Sequence, residues 1–242
     1  MNTASQQPRS IAGTEAMTTH FQVKSANRPV QAFTLIELLV VIAVIAILAG
    51  MIFPITGAVN RQKMRSKARA ELNQVATLIE AYKAKLGHYP PDNPVDPRIN
   101  PLYYELAGTR LNQATFTTLD GASQITPAVA TSTFGVGGFA NSMQGAGGDE
   151  GRVATSFARD LKPGAIATLT SGAKILVCTI PWPQNNDYKP AGLPGLNPIR
   201  YRSSNPTNNP GSFEIWVDVL IGNKTNRISN WSREPLVVGD AL

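Results

Sequence analysis

The hydrophobic and polar positions fall into distinct patterns along the chain. Phe33 to Phe53 reads FTLIELLVVIAVIAILAGMIF, an apolar run with one charge, Glu37. At about 1.5 Å per residue, a helix of this length spans roughly 30 Å, the thickness of a bilayer's hydrocarbon core. A cleaved secretory signal has a shorter apolar region followed by a small-residue cut site. This run is too long and continues into a charged helix, so a retained membrane anchor is expected. Pro54 follows and is expected to kink the helix. Beyond it the pattern narrows to one stripe. Leu72, Val75, Ile79, Tyr82 and Leu86 recur at steps of three and four, the spacing of one helical face. Arg69, Glu71, Gln74, Glu80 and Lys83 occupy the other side. Gly87 and Pro90-Pro91 predict the stop.

A single apolar stripe must pack on something. The C-terminal third supplies candidate strands at 175–180, 199–203, 213–221 and 227–231. Phe213-Glu-Ile-Trp-Val-Asp-Val219 alternates apolar and polar positions, as a half-buried antiparallel strand does. Gly222-Asn223 offers a turn. Residues 92–170 carry less signal: a short helix near 102–106, then a Gly-rich stretch from Gly135 to Gly151. The fold class expected is α+β, with a long N-terminal helix, membrane-spanning in its first half, packed on a small antiparallel β-sheet domain. The expected divisions are a leader (1–32), a transmembrane or filament-core helix (33–53), its amphipathic continuation (54–87) and a C-terminal globular domain (88–242).

Composition narrows the chemistry. The 242 residues carry 22 Lys plus Arg against 16 Asp plus Glu, a net charge of +6. With 20 Gly and 18 Pro the chain is loop-rich, yet too apolar for a disordered one. Cys178 is the single cysteine, so no intrachain disulfide forms. It sits in an apolar, β-branched run with no neighbour to favour a thiolate. His20 and His88 are the only histidines, which excludes a multi-histidine zinc site. The Gly-rich stretch lacks the flanking strand, helix and Lys-Ser/Thr pair of a phosphate-cradling loop. No nucleophile, base and orienting group stand together, so no enzyme is expected. Arg61, Lys63, Arg65, Lys67 and Arg69 form a basic cluster without interleaved aromatics. Lipid headgroups or filament partners explain it as well as nucleic acid does, and nucleic-acid binding is not expected.

Glu37 is the residue that needs a reason. A carboxylate at mid-bilayer costs roughly 2.5–3.5 kcal/mol on insertion scales, and less near the interface. Two readings stand on the residues alone. Glu37 sits at the headgroup boundary, favoured by the positive end of the helix dipole, or it awaits a positive partner in an assembly. Ahead of the run lies a polar leader carrying Arg9, Lys24 and Arg28 against Glu15, and it ends in the small residue Ala32.

Ala32, then Phe33-Thr-Leu-Ile-Glu37, then a continuous apolar helix resembles the N-terminal signal of type IV prepilins and type II secretion pseudopilins. The likeness runs from Ala32 to about Asn60. It implies cleavage between Ala32 and Phe33 by a prepilin peptidase at the cytoplasmic membrane face, and N-methylation of the new Phe33 amine. It implies that Glu37 pairs with the Phe33 amine of a neighbouring subunit in a homo-oligomeric filament. An assembly platform and its ATPase are the further partners implied. The family usually places Gly before the cut, where this chain has Ala32. Met17 offers a second start, with the 16-residue leader MTTHFQVKSANRPVQA.

The helix exit, Tyr82 through Gly87-His88-Tyr89-Pro90-Pro91, and the ending, Phe213-Glu-Ile-Trp with Ile228-Ser-Asn-Trp231, resemble major pseudopilins more than type IV pilins. The resemblance thus implies a subunit of a type II secretion pseudopilus in the bacterial inner membrane, its C-terminal domain periplasmic or external. Charge counting opposes that orientation, because the basic cluster follows the anchor; the leader signal is the more specific guide. A type IV pilus subunit and a non-polymerising membrane-tethered binding protein are the alternatives. Relatives often hold Ca²⁺ between the last strands. Calcium wants several carboxylates, and the loop region 219–229 offers Asn223, Thr225 and Asn226, with Asp218 just before. No metal site is expected.

Overall fold

The computed structural model describes residues 33–144, 153–159, 161–185 and 187–240, without the side chains of 51–56 and 240. The expected leader, 1–32, lies outside these residues. The chain divides into two units, 1–50 and 51–242, and the long helix α1 (Leu35–Leu86) contributes to both.

In the first unit the described part of α1 buries almost nothing. Its large apolar side chains from Leu35 to Leu48 are 49–80% exposed on every face. Apolar all round is the signature of a helix made for lipid or for a surrounding assembly.

In the second unit the predicted stripe is the core. Leu72, Val75, Ile79 and Tyr82 are buried in one cluster with Ile215, Val217, Val219 and Ile228. Helix α1 stops where the glycine requires it. Gly87 takes φ +84°, its N–H donates to the Lys83 carbonyl at 2.9 Å, and the Lys83 ammonium donates to the Gly87 carbonyl at 2.7 Å. This is a left-handed helix cap that a side chain would strain.

The rest of this unit is α+β. Helix α2 (Leu102–Ala107) is followed by β1 (Thr109–Asn112), β2 (Thr115–Thr118), β3 (Gln124–Ile125), helix α3 (Pro127–Phe134) and β4 (Ser142–Gln144). These strands form a sheet of order β3-β2-β1-β4. The β1–β4 pair is parallel, so this sheet departs from the all-antiparallel expectation. The intervening α3 makes the parallel return. Strands β5 (Ile166–Thr168) and β6 (Lys174–Leu176) form a separate hairpin.

The terminal sheet is antiparallel, of order β10-β9-β8-β7, from β7 (Arg200–Arg202), β8 (Glu214–Ile221), β9 (Lys224–Ser229) and β10 (Leu236–Asp240). Gly222-Asn223 is the predicted two-residue turn, with Ile221 paired to Lys224 and Gly222 at φ +66°. The tight turn starts β9 three residues before the expected 227, because Lys224, Thr225 and Asn226 must pair with β8 despite being polar. Strand β8 is also not half-exposed. Glu214, Trp216 and Asp218 are buried along with the apolar alternate positions. Asp218 is covered by Arg227 and Arg200, and the Glu214 carboxylate accepts from the Asn208 N–H.

Candidate assembly site at the start of the long helix

Phe33 and Thr34 precede α1, and Glu37 lies in its first turn. The first turn of any helix leaves N–H groups without intrahelical partners. Here Thr34 and Glu37 supply them reciprocally. The Glu37 N–H donates to Thr34 Oγ1 at 3.3 Å. In return, Glu37 Oε2 accepts from the Thr34 N–H at 2.8 Å and from the Thr34 hydroxyl at 2.7 Å. This is a capping box, a threonine and a glutamate three residues apart. It was legible as Thr34-Leu-Ile-Glu37 but went unread behind the family signal.

Glu37 therefore has a local structural role as well as its charge. Its carboxylate is exposed, fixed at one oxygen and surrounded by bare apolar side chains, Phe33 being 77% exposed. Ala32, the other side of the expected cut, lies outside the described residues. So does the side chain of Pro54; helical backbone is assigned through that position.

Among the described residues no helix is long and apolar enough to cross a membrane. The side chains described at this end of α1 run from Leu35 to Gly50, about 24 Å at roughly 1.5 Å per residue. The expected span, 33–53, extends beyond them.

The other sequence candidates resolve into structure. Two members of the basic cluster dock the helix on the terminal sheet. Arg65 donates to Asn226 Oδ1 at 3.0 Å. The Arg69 guanidinium donates to the Ser229 carbonyl, to Ser232 at 2.8 Å and to Arg233 at 3.0 Å. Arg61, Lys63 and Lys67 stay exposed. The sequence reading missed this docking, whose signal is the i, i+4 spacing of 65 and 69. Glu71, on the same helix, accepts from the Thr179 N–H at 2.8 Å and from its hydroxyl.

Burial pushes the Cys178 thiol up to about 12, far from a reactive thiolate. His88 is exposed and bonds the Tyr89 carbonyl oxygen at 3.0 Å. In the Gly-rich stretch, Gly135 caps α3 in the left-handed region, φ 72°; 145–152 lie outside the described residues. Asp218, the one carboxylate beside the supposed calcium loop, is held by Arg227 at 2.9 and 3.1 Å and by Arg200 at 3.5 Å. A carboxylate so engaged does not fit a calcium cradle. Among the described residues no group of His, Cys, Asp or Glu could hold a metal ion.

Comparison with known proteins bears on this candidate site alone. The chain matches the model of the prokaryotic N-terminal methylation motif over residues 27–53. In that segment it is type IV pilin-like, and the match takes in Ala32, Phe33 and Glu37. It covers about a ninth of the chain and does not reach the globular domain. No curated protein and no solved structure matches the chain.

Proposed function

We propose that the chain is a structural filament subunit, made as a prepilin and polymerised through its N-terminal helix. The prepilin peptidase cuts between Ala32 and Phe33, the Phe33 amine is methylated, and the mature subunit waits in the inner membrane with 33–53 as its single span. The observation that carries this reading is the coincidence of the methylation motif at 27–53 with a helix bare on all faces except for one acid.

The physics of Glu37 supports it. Opposite charges 4 Å apart gain about 4 kcal/mol at an effective dielectric near 20. An unpaired carboxylate inside an apolar filament core is costly. Glu37 therefore rewards the register that brings it a neighbour's Phe33 amine and penalises the others. Such a head-to-tail contact does not close on itself and so gives a fibre. The protein's partners are then copies of itself, the peptidase, and an assembly platform with its ATPase. No catalytic role is assigned.

Within this class a type II secretion pseudopilus is favoured over a type IV pilus. The exit sequence Gly87-His88-Tyr89-Pro90, the terminal sheet around Phe213–Trp231 and the lack of a cysteine pair all point that way. The C-terminal domain is placed in the periplasm or outside. A tethered binding protein with the same anchor explains the apolar run but leaves Glu37 without a task.

Glu37→Ala in cells tests the role. The variant is expected to be cleaved and membrane-resident at normal levels, while filaments fall well below wild type. Normal filament formation would sink the proposed role of Glu37.

A further inference from the structure

We infer that the anchor-proximal end of the C-terminal unit docks on an anionic phospholipid surface. Arg61, Lys63 and Lys67 meet the headgroups, and strand β10 rests on the interface beside them. The inference rests on the reading of 33–53 as a membrane span. It concerns surface that neither the fold nor the proposed Glu37 contact uses.

The first observation is charge. No Asp or Glu stands between Glu37 and Glu71. Arg65 and Arg69 are engaged by the terminal sheet, while Arg61, Lys63 and Lys67 are exposed. At about 100° per residue, Arg61 and Lys63 point to opposite sides of the helix, so the charge forms a collar. A single docked partner touches one side of a helix, whereas a lipid surface surrounds it. Arg61 lies about 12 Å of helix beyond Phe53, and long basic side chains snorkel back to headgroups.

The second observation is an apolar edge beside the collar. Strand β10 pairs with β9 alone among the described strands. Leu236, Val237 and Val238 are exposed, and successive residues face opposite sides, so both faces of the strand are bare. Such edges are ordinarily charged or covered. Val237 pairs with Asn226, whose side chain accepts from Arg65. From Arg69 to Arg65 the helix runs toward the anchor while its partners on β9 pass from Ser229 to Asn226. Antiparallel β10 therefore runs toward the anchor beyond Val237. Bare apolar side chains beside Lys and Arg compose a surface that lies in a membrane interface. A second copy is the poorer occupant, because it brings a chain of net charge +6 and the same acid-free collar. Phospholipid phosphates carry the complementary charge.

The test uses the full chain in vesicles of phosphatidylcholine alone or of equal parts phosphatidylcholine and phosphatidylglycerol. Cys178 is buried, so a fluorophore on the Val238→Cys variant reports one site, and labelling at Cys178 would reveal unfolding. Quenching by a nitroxide-bearing lipid is expected in the anionic vesicles, and is expected to fall in about 1 M salt, which cuts the screening length to about 3 Å. Combining Arg61→Gln, Lys63→Gln and Lys67→Gln is expected to lower the docked-to-free ratio at least about fivefold, the effect of one base near an anionic surface. Val237→Ser is expected to weaken quenching without changing its salt dependence. Equal quenching in both vesicles, or a triple variant that matches the parent, overturns the inference. A signal that follows protein density instead of lipid charge assigns the face to a second copy and overturns it too. Failure of the span reading is distinguishable, because the chain is then stripped from either vesicle by alkaline carbonate.

Discussion

Arg69 shows how much one side chain can do at the junction of helix and sheet. Its guanidinium satisfies three carbonyl oxygens, on Ser229, Ser232 and Arg233, and hydrogen bonds made by a charged donor are the stronger kind. Arg69→Ala is expected to destabilise the C-terminal unit by about 2 kcal/mol, read as a lower denaturant midpoint of the full chain in detergent. No change in midpoint would show the contacts to be dispensable. Glu105 is the other demanding residue. It is fully buried and accepts from the Ala140 N–H, the Asn141 N–H and the Tyr82 hydroxyl. Burial raises its pKa, these donors pull it back, and the net direction is upward from 4.5. Its folded value thus lies above its unfolded one. Its contribution to stability is fully present below the unfolded value and is lost as pH rises through the folded one. The stability difference between wild type and Glu105→Gln is expected to shift against wild type as pH rises above about 4.5; a flat difference across that range would contradict it. Cys178 gives a simpler check: with its thiol near 12, alkylation near neutral pH should require unfolding.

Helix α1 carries two different elements in one run of residues. From Leu72 to Tyr82 its stripe is core, and Ile79→Ala is expected to cost about 2–5 kcal/mol. From Leu35 to Leu48 no side chain is buried, so Leu39→Ala should leave unfolding of the C-terminal unit unchanged and act only on assembly. Comparing the two unfolding midpoints checks both halves. The helix was legible because periodicity of three and four, a glycine stop and a proline pair agree on it. Strand β8 was legible in position but not in burial: the turn at Gly222-Asn223 sets Arg227 opposite Asp218, but the rest of what covers Glu214 and Asp218 comes from Asn208 and Arg200, which no local pattern links to them. The sheet of β1 to β4 was unreadable for a similar reason. Its strands are two to four residues long, too short for alternation to register, and buried Asn141 and Glu105 tie its connections through polar contacts distant in sequence.

At the scale of the molecule, one segment presents apolar surface on all sides and the other folds around its own core. The candidate site was half legible. The motif around Ala32, Phe33 and Glu37 was expected to serve cleavage, methylation and assembly, and the match over 27–53 supports the prepilin-type cleavage and methylation motif. The capping box sat in the same five letters and was hidden because one residue can hold a helix end and a charge contact at once. The basic cluster, which argued for the opposite membrane orientation, loses two of its members to the terminal sheet, where Arg65 and Arg69 serve folding. The central claim is that this chain is processed at Phe33 and enters a filament. The most direct measurement is the mass and N-terminal sequence of the subunit recovered from filaments sheared off the producing cells. The expected result is a chain beginning at Phe33 and carrying one methyl group on its amine. A chain that begins before Phe33, or that is absent from the filament fraction while abundant in the membrane, would contradict the account.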